Sequence, residues 1–418
     1  MTDMYVPHSG GTRLGYDAMS DLPLDPSLPI SEPEPFAAAD GGPIPRTVCL
    51  QPGESVVVEV DPGIGTRLRI TAQEKGNALP GNGFLATSSG PGSVTAEAAA
   101  TSLGVVQRIL GTAFPQSLVI SPDGTRVYVA GTHYAYRYGA LAVIDTATNE
   151  VIRTLTLGVE VSGIAVSADS RRVYVARCVD EALNFDIAIL DSASLNIIGT
   201  IPVAGIGSSR LALSPDGAFL YACGNTSPFA GFPNGRLAVI DIARGQVVQA
   251  IVLQNNSKSV AISPDGRRVY ASNSNGTGNG PSGSGTVSVL DTRTLAVLKD
   301  IEVGVNPDGT VVSLDGTRVY TVNFFYKTLI VMDAATLTVI RQVPIGIGAF
   351  FLALSPDGKY LCASNAIPGN GAAIIDTSTF SLSYLPDTAE GTGVAFSADG
   401  ARVYICNWAG NSVWVVDR

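Results

Sequence analysis

The sequence predicts an all-β fold, a seven-bladed β-propeller whose ring is closed by an N-terminal strand that completes the C-terminal blade. Three observations predict it: a turn phrase that recurs seven times, a strand pattern around each copy, and a last repeat that ends one strand short. Repeats spaced by 42 to 50 residues are typical of stacked supersecondary units. The phrase is Ser-Pro-Asp-Gly or a close variant, and its copies begin at Ser121, Ser167, Ser214, Ser263, Ser313, Ser355 and Ser397.

Each repeat contains four short strand-like segments. In the first repeat, Leu118-Val-Ile leads into the turn, and apolar runs follow at residues 126–130, 141–145 and 151–157. Such a series predicts a meandering antiparallel sheet. The first strands are apolar at every position and have a small central residue, as in Ile164-Ala-Val. A strand without polar residues is buried on both faces, and a small central residue suits sheets that converge on an axis.

The last repeat predicts how the ring closes. The chain ends at Arg418, after only three strands of that repeat. Upstream of the first repeat, the Val-Val-Gln-Arg-Ile of residues 105–109 resembles the Val-Val-Gln-Ala-Ile of residues 247–251, a fourth strand. We therefore expect residues 105–111 to pair with Val413–Val416, since closure removes the free sheet edges, and the propeller to span residues 104–418.

The N-terminal hundred residues predict two further parts. Residues 1–45 hold seven acidic residues, one arginine and eight prolines, the composition of an extended acidic tail. Within residues 46–103, the segments 55–60 and 67–71 flank a Pro-Gly turn and predict a β-hairpin appendage, followed by a Gly- and Ala-rich linker.

Composition limits the classes of partner and compartment. The net charge is −10, and the 26 Lys and Arg are scattered along the chain with no run longer than two, so we expect no nucleic-acid partner. No run of 18 apolar residues occurs, which predicts no membrane insertion, and the N-terminus lacks the basic and apolar regions of a signal peptide, which predicts a cytoplasmic protein. The five cysteines are odd in number and widely spaced, so Cys223, Cys362 and Cys406 are predicted to be buried, inert thiols.

Aspartates recur at two places in each repeat. One lies in every turn phrase, and one ends every third strand: Asp145, Asp191, Asp241, Asp291, Asp333, Asp376 and Asp417. We expect each carboxylate to cap its own turn by accepting backbone N–H bonds, and to form no metal site.

The second strands carry a family resemblance. Phrases such as Arg172-Val-Tyr-Val-Ala, Arg268-Val-Tyr-Ala-Ser-Asn, Arg318-Val-Tyr-Thr-Val-Asn and Arg402-Val-Tyr-Ile-Cys-Asn follow the Ser-Pro-Asp-Gly turns. Together they resemble the YVTN β-propeller repeat family over about three-quarters of the chain. The resemblance implies the propeller fold. It leaves function open, because relatives include surface-layer and binding proteins, and neighbouring lactonase-like propellers are hydrolases.

The family Asn is present in only part of the ring. It falls on Asn273, Asn323, Asn365 and Asn407, whereas Gly131, Arg177 and Gly224 replace it in the first three repeats. This departure makes the two sides of the ring chemically different.

The long loops between second and third strands, together with the links between blades, are expected to lie on one face of the ring. Because function concentrates on irregular loops held by a rigid scaffold, we expect a pocket on that face at the central axis. Aromatic residues beside a few charges suit a small anionic or aromatic molecule, or a protein partner. The predicted ligand-binding residues are Tyr134, Tyr136, Arg137, Arg177, Arg210, Lys258, Asp308, Phe324, Tyr326, Phe350, Glu390 and Trp408.

Two functions remain open at this point. The leading prediction is a binding or interaction propeller, and the alternative is a metal-independent enzyme of the lactonase, lyase or cyclase type in which charged residues of the same pocket supply acid–base catalysis. With two histidines and no Cys-x-x-Cys motif, a His-rich metal centre is excluded and no cofactor is expected. One alternative is a Ca²⁺ ion on the axis, held by Asp308, Glu390, Asn323, Asn365 and Asn407.

Overall fold

Seven four-stranded antiparallel sheets form a propeller, as the repeats predict. In six of the seven sheets the strands are hydrogen-bonded in consecutive order, so that each of these blades is a meander. The structure is a computed structural model. It describes residues 55–59, 67–71, 87–88, 94–95, 105–112, 114–133, 138–180, 184–204, 206–225, 235–254, 256–274 and 284–418.

Two short strand pairs precede the propeller and belong to a separate unit. The first is the expected hairpin, in which β1 (Ser55–Glu59) pairs antiparallel with β2 (Arg67–Thr71). The second joins β3 (Thr87–Ser88) to β4 (Val94–Thr95). The expected acidic tail, residues 1–45, lies outside the described residues.

The remaining strands build the ring in chain order. β5 (Val105–Leu110) comes first and joins the last blade. Blades one to three contain β6 (Pro115–Ile120), β7 (Arg126–His133), β8 (Tyr138–Asp145), β9 (Glu150–Gly158), β10 (Glu160–Val166), β11 (Arg172–Cys178), β12 (Phe185–Asp191), β13 (Ile197–Pro202), β14 (Gly207–Leu213), β15 (Phe219–Asn225), β16 (Gly235–Asp241) and β17 (Gln246–Val252). Blades four to seven contain β18 (Ser257–Ile262), β19 (Arg268–Asn273), β20 (Gly285–Asp291), β21 (Val297–Gly304), β22 (Pro307–Val312), β23 (Arg318–Asn323), β24 (Thr328–Asp333), β25 (Thr338–Pro344), β26 (Leu352–Leu354), β27 (Tyr360–Ala363), β28 (Ala373–Asp376), β29 (Leu382–Tyr384), β30 (Gly391–Phe396), β31 (Arg402–Asn407) and β32 (Ser412–Asp417).

The N-terminal strand closes the ring, as the sequence predicts. The seventh sheet has the order β30-β31-β32-β5, and Ile109 of β5 lies opposite Val413 of β32. Side chains then join the seam between blades seven and one. Asn149 donates to Gln107 on β5 at 3.0 Å and accepts a hydrogen bond from the hydroxyl of Tyr404 at 3.1 Å.

The hydrophobic core lies between neighbouring blades. One cluster joins Val127 and Val129 of blade one to Tyr404 and Val413 of blade seven, and similar clusters lie between successive blades from one to six. In six of the seven blades, the tyrosine of the second strand contributes a large buried ring, for instance Tyr128, which is fully buried; in blade six Cys362 takes this position. Among the described residues, no helix is long and apolar enough to cross a membrane.

The aspartates of the turn phrases and six of those that end third strands cap their own turns, as expected, whereas Asp417 accepts a bond from the guanidinium of Arg402 across the hairpin. In the first turn phrase, Asp123 accepts bonds from the hydroxyl of Ser121 at 2.6 Å and from the backbone of Thr125 at 3.0 Å. At the end of a third strand, Asp376 accepts bonds from the backbone N–H groups of Ser378 and Thr379. Hydrogen bonds of this kind stabilise the ionised carboxylate and lower the pKa of Asp376 to about 2.

Candidate functional site at the propeller axis

Seven equivalent positions on the innermost strands surround the axis. Each lies four residues before the serine of a turn phrase, and in blade order they are Ser117, Gly163, Arg210, Ser259, Gly309, Phe351 and Gly393. Five of these residues are Ser or Gly, so the large side chains at the axis are those of Arg210 and Phe351. We call these seven residues the axial ring.

The two large residues of the axial ring meet across the channel. The guanidinium carbon of Arg210 in blade three lies 4.2 Å from the centroid of the Phe351 ring in blade six. This distance is within the range of a cation–π contact. The Arg210 guanidinium also donates to the carbonyl of Ser162 in blade two at 3.4 Å. Blades on opposite sides of the propeller are therefore bridged by a cation at its centre.

The small members of the axial ring bring neighbouring innermost strands together. Ser117 donates its hydroxyl to the carbonyl of Ser162 at 2.7 Å, and the hydroxyl of Ser259 accepts the backbone N–H of Thr310 at 2.9 Å. A Cβ at Gly309 would lie 2.6 Å from the backbone nitrogen of Leu352. The packing therefore requires glycine at this position.

A β-bulge lies next to the axial ring in most blades. In six of the seven blades, the register between first and second strands shifts at this point. Lys258 lies in the bulge between Ser257 and Ser259, and Asp308 lies in the bulge that precedes Thr310. Bulges redirect side chains and are frequent beside functional sites. They explain how charged residues occur within otherwise apolar strands.

Asp308 and Lys258 interact electrostatically beside the axial ring. The Asp308 residue is only 7% exposed. Burial raises the pKa of its carboxyl group to about 6, although the charges of Lys258 and Arg210 act in the opposite direction. Burial also lowers the pKa of Lys258, and the nearby Asp308 partly offsets this effect.

Six of the seven residues of the axial ring, all except Gly393, line a cavity of about 140 Å³. Its wall includes Arg210, Asp308, Phe350 and Phe351 together with small and apolar residues of blades one to six. The volume equals that of about four to five water molecules in the liquid. It is smaller than the ~300–1,000 Å³ of pockets for drug-sized ligands. The cavity therefore suits only a small ligand.

The structure places the predicted ligand-binding residues in different surroundings. Arg210, Asp308 and Phe350 line the axial cavity, and Lys258 interacts electrostatically with the first two. Phe324 stacks on Phe350 with ring centroids 4.5 Å apart and planes nearly parallel. The aromatic surface thus extends outward from the cavity into the loop of blade five.

Arg177 is held in a local ion pair away from the cavity wall. Its Nε and Nη2 atoms donate to the two carboxylate oxygens of Asp186 at 2.7 and 3.1 Å, and Nη1 donates to the carbonyl of Leu157. Both side chains of the pair are mostly buried. Because Arg177 belongs to blade two and Leu157 to blade one, this guanidinium links the two blades.

The other predicted residues lie farther from the axial ring or outside the described residues. Tyr326 is 61% exposed in the turn between β23 and β24, and Glu390 is exposed on the link into blade seven. Trp408 is half-buried in the turn between β31 and β32. Tyr134, Tyr136 and Arg137 lie outside the described residues.

Three of the four family asparagines bind the loops that follow their strands, whereas Asn273 accepts a bond from the hydroxyl of Ser257 and donates to that of Ser288. The side-chain carbonyl of Asn323 accepts the backbone N–H of Tyr326, and that of Asn407 accepts the N–H of Gly410. Asn365 bonds the backbone of Ile367 and Asn370. The side-chain oxygens of these three amides are thus engaged in capping turns. Within the described ranges, no three His, Cys, Asp or Glu side chains are grouped to hold a metal ion.

The sequence prediction missed the cross-axis bridge and the small residues around it. It placed the pocket among the irregular loops, whereas the cavity wall is built from the innermost strands. The sequence does contain a signal for this bridge. When the repeats are aligned on the turn serine, Arg210 and Phe351 occupy the position that holds Ser or Gly in the other five repeats. The large residues then stand out, because this position surrounds the axis.

The described thiols are expected to be chemically inert. Burial raises the pKa of Cys223 to about 12 and also raises those of Cys362 and Cys406. Because the thiolate is the reactive form, iodoacetamide at pH 7.5 should label these residues only after unfolding, and reductant should leave the melting temperature unchanged. Peptide mapping by mass spectrometry checks the labelling residue by residue. Rapid labelling of native Cys223 would contradict its burial.

Comparisons with known proteins agree on the fold. No family model matches the chain. The chain is 28% identical over 271 residues to the seven-bladed β-propeller protein Rv1057 of Mycobacterium tuberculosis, a match that covers 57% of this chain. It spans 65% of that protein, slightly less than two thirds of its length. The chain is thus a seven-bladed propeller and a distant homologue of Rv1057.

Solved structures of low sequence identity share the architecture. Hydrazine synthase of Kuenenia stuttgartiensis is similar with a TM-score of 0.62 and 20% identity, covering 74% of this chain and 96% of that chain. The Cps50 (Swd1) β-propeller domain of Myceliophteria thermophila is similar with a TM-score of 0.59 and 12% identity, covering 75% and 99%. At these identities the likeness concerns the fold alone.

Proposed function

We propose that this propeller is a binding protein whose axial cavity holds a small anion. The observation that carries the proposal is the Arg210 guanidinium, which lies at the centre of the ring against Phe351 and borders the cavity. A guanidinium held in place by its contacts with Phe351 and Ser162 is a strong partner for a carboxylate or a similar anion. The rings of Phe350 and Phe351 favour a ligand with a planar or apolar part.

We also propose that the repeats belong to the YVTN type. Three features support this assignment: the seven turns that read Ser-Pro-Asp-Gly or a close variant, the buried tyrosines of the second strands and the asparagines that cap the following loops. The type accommodates different functions, so the ligand has to be inferred from the axial cavity.

A second candidate function is supported by Asp308. A buried carboxyl group with a raised pKa, placed in a cavity beside a lysine, is suited to general acid–base catalysis. The alternative is therefore a metal-independent enzyme of the lactonase, lyase or cyclase type. NMR of the ligand after prolonged incubation with the protein separates the two, since a binding protein returns it unchanged.

Removing the axial cation should weaken anion binding. We expect Arg210→Met to reduce the affinity for sodium propanoate about tenfold or more, equivalent to about 1.4 kcal/mol, because a charge-assisted hydrogen bond is lost. Isothermal titration calorimetry at pH 6 and low salt measures the change. A tighter or unchanged dissociation constant would contradict the proposal.

The matched control is another arginine stacked on a phenylalanine. Arg341 on β25 of blade five lies 4.6 Å from the ring centroid of Phe380 in blade six, and neither residue belongs to the axial ring. Arg341→Met should therefore keep the affinity for propanoate. Arg210→Lys retains the charge and most of the stem, so it provides a folded variant if Arg210→Met is unstable, and it should still lose the paired N–H geometry.

A further inference from the structure

The wall of the axial cavity contains both an acid, Asp308, and a cation, Arg210. We propose that its ligand is a short monocarboxylate and that binding is coupled to the uptake of one proton by Asp308. This inference rests on the proposed function and specifies both the class of ligand and its regulation. It depends on the cavity wall, on the bridge between Arg210 and Phe351, and on the position of Asp308 in its bulge.

The shape and chemistry of the wall favour a short monocarboxylate. Arg210 presents a planar fork of N–H donors, which matches a carboxylate group. The apolar part of the wall is suited to a short alkyl chain, and its members are Leu118, Ile164, Leu211, Val260 and Leu352. A cavity of about 140 Å³ leaves room for only a few non-hydrogen atoms beyond the carboxylate. A second carboxylate would have to lie among these apolar residues at a high desolvation cost.

The charged groups around Asp308 determine how it responds to an anion. Lys258 of blade four and Arg210 of blade three act on its carboxyl group, and its own bulge supplies the backbone N–H of Gly309. Cys223 on β15 is near enough for Asp308 to raise its pKa, and it stays neutral at physiological pH. On the side of blade six, the wall next to Asp308 is formed by Phe350 and Phe351.

An incoming carboxylate changes the protonation of this site. Two carboxylates that share a dry cavity repel each other unless one of them takes up a proton. Asp308 starts with a pKa of about 6, so at pH 7.5 it is largely ionised in the unliganded protein. The ligand carboxylate then enters together with one proton from solvent, which binds a carboxylate oxygen of Asp308. The product is a neutral acid that donates an O–H bond to the bound anion.

Linkage gives the direction of the pH dependence. Above the pKa of free Asp308, each rise of one pH unit should weaken propanoate binding up to about tenfold, because one proton must be taken up. Below that pKa the acid is already protonated, and affinity should level off. Titrations at pH 7 in bis-tris, imidazole and Tris, buffers with different ionisation enthalpies, count the protons directly, and we expect close to one per propanoate.

The neutral isostere tests the role of Asp308. Asp308→Asn cannot ionise but keeps an N–H donor, so the variant should bind propanoate without proton uptake and with little pH dependence between pH 5.5 and 8. At pH 7.5 it should bind at least as tightly as the unsubstituted protein. The control is Asp315→Asn, which alters an ionised aspartate of the turn phrase in the same blade and should keep the full pH dependence.

Each outcome supports or overturns the inference. Uptake of about one proton per propanoate by the unsubstituted protein, and its loss in Asp308→Asn, supports the inference. Succinate that binds at least tenfold more weakly than propanoate supports it as well. Propanoate binding without proton uptake overturns the coupling but leaves anion binding intact, and equal affinity for succinate overturns the monocarboxylate class. Absence of propanoate binding at every pH overturns both this inference and the proposed function. If Asp308→Asn does not fold, the proton count on the unsubstituted protein still decides.

Discussion

We expect Ile109→Asp to cost more than about 4 kcal/mol of unfolding free energy, enough to abolish cooperative folding of a marginally stable domain. Ile109 is 4% exposed and packs with Val127, Val413 and Tyr404 in the cluster between blades one and seven. A carboxylate there would be buried without a partner, so it would displace the closing strand. The seventh blade would then present an unpaired edge, which favours aggregation.

A control on the same strand isolates this effect. Leu110 is the adjacent residue of β5 and is 68% exposed, so Leu110→Asp adds the same charge on the solvent side of the strand. We expect it to change the unfolding free energy by no more than about 0.5 kcal/mol. Urea denaturation followed by circular dichroism measures both variants. Similar stability of the two would show that β5 does not hold the ring closed.

The second large effect is expected at a glycine that begins a third strand. Gly285 of β20 approaches the link into blade five, where a Cβ would lie 2.1 Å from Cδ of Pro307 and 2.7 Å from the carbonyl oxygen of Gly304. Since backbone and a rigid ring cannot yield locally, Gly285→Ala must separate blades four and five. We expect a loss of about 3 kcal/mol, measured as a shift of the denaturation midpoint.

The comparison variant for this experiment is Gly199→Ala. A Cβ at Gly199 on β13 would meet only the Cδ1 of Ile189, at 3.7 Å, which is an ordinary contact. Because alanine restricts the unfolded chain more than glycine does, this variant should be neutral or slightly stabilised. A large loss in Gly199→Ala, or none in Gly285→Ala, would show that the close approach of the blades is not limiting.

Most of the fold can be read from the sequence because its determinants are local. The Ser-Pro-Asp-Gly turns are built from hydrogen bonds within a few residues, such as that of Ser121 with Asp123. The apolar strands follow the turns at short range, and the copy of a fourth strand at residues 105–109 is visible as a sequence repeat. Strand count, order and ring closure therefore followed from the repeat.

The candidate site was only partly predictable. Arg210, Lys258, Asp308 and Phe350 were identified as charged or aromatic residues near blade links, and the structure places them at or beside the axial cavity. Arg177 was grouped with them on the same reasoning, yet its partner is Asp186, nine residues away across a hairpin. Residue type and loop position do not distinguish a side chain that faces the axis from one that pairs within its own blade.

Only the tertiary structure decided which residues meet at the centre. Arg210 and Phe351 lie on innermost strands of blades three and six, and they come within contact distance because closing the ring brings equivalent positions around one axis. The bulges that redirect Lys258 and Asp308 arise from pairing with the second strands, which no short segment encodes by itself. The sequence alone determined the seven blades and their closure through local turns and periodic strands, whereas the buried charge at the axis depends on contacts between distant blades.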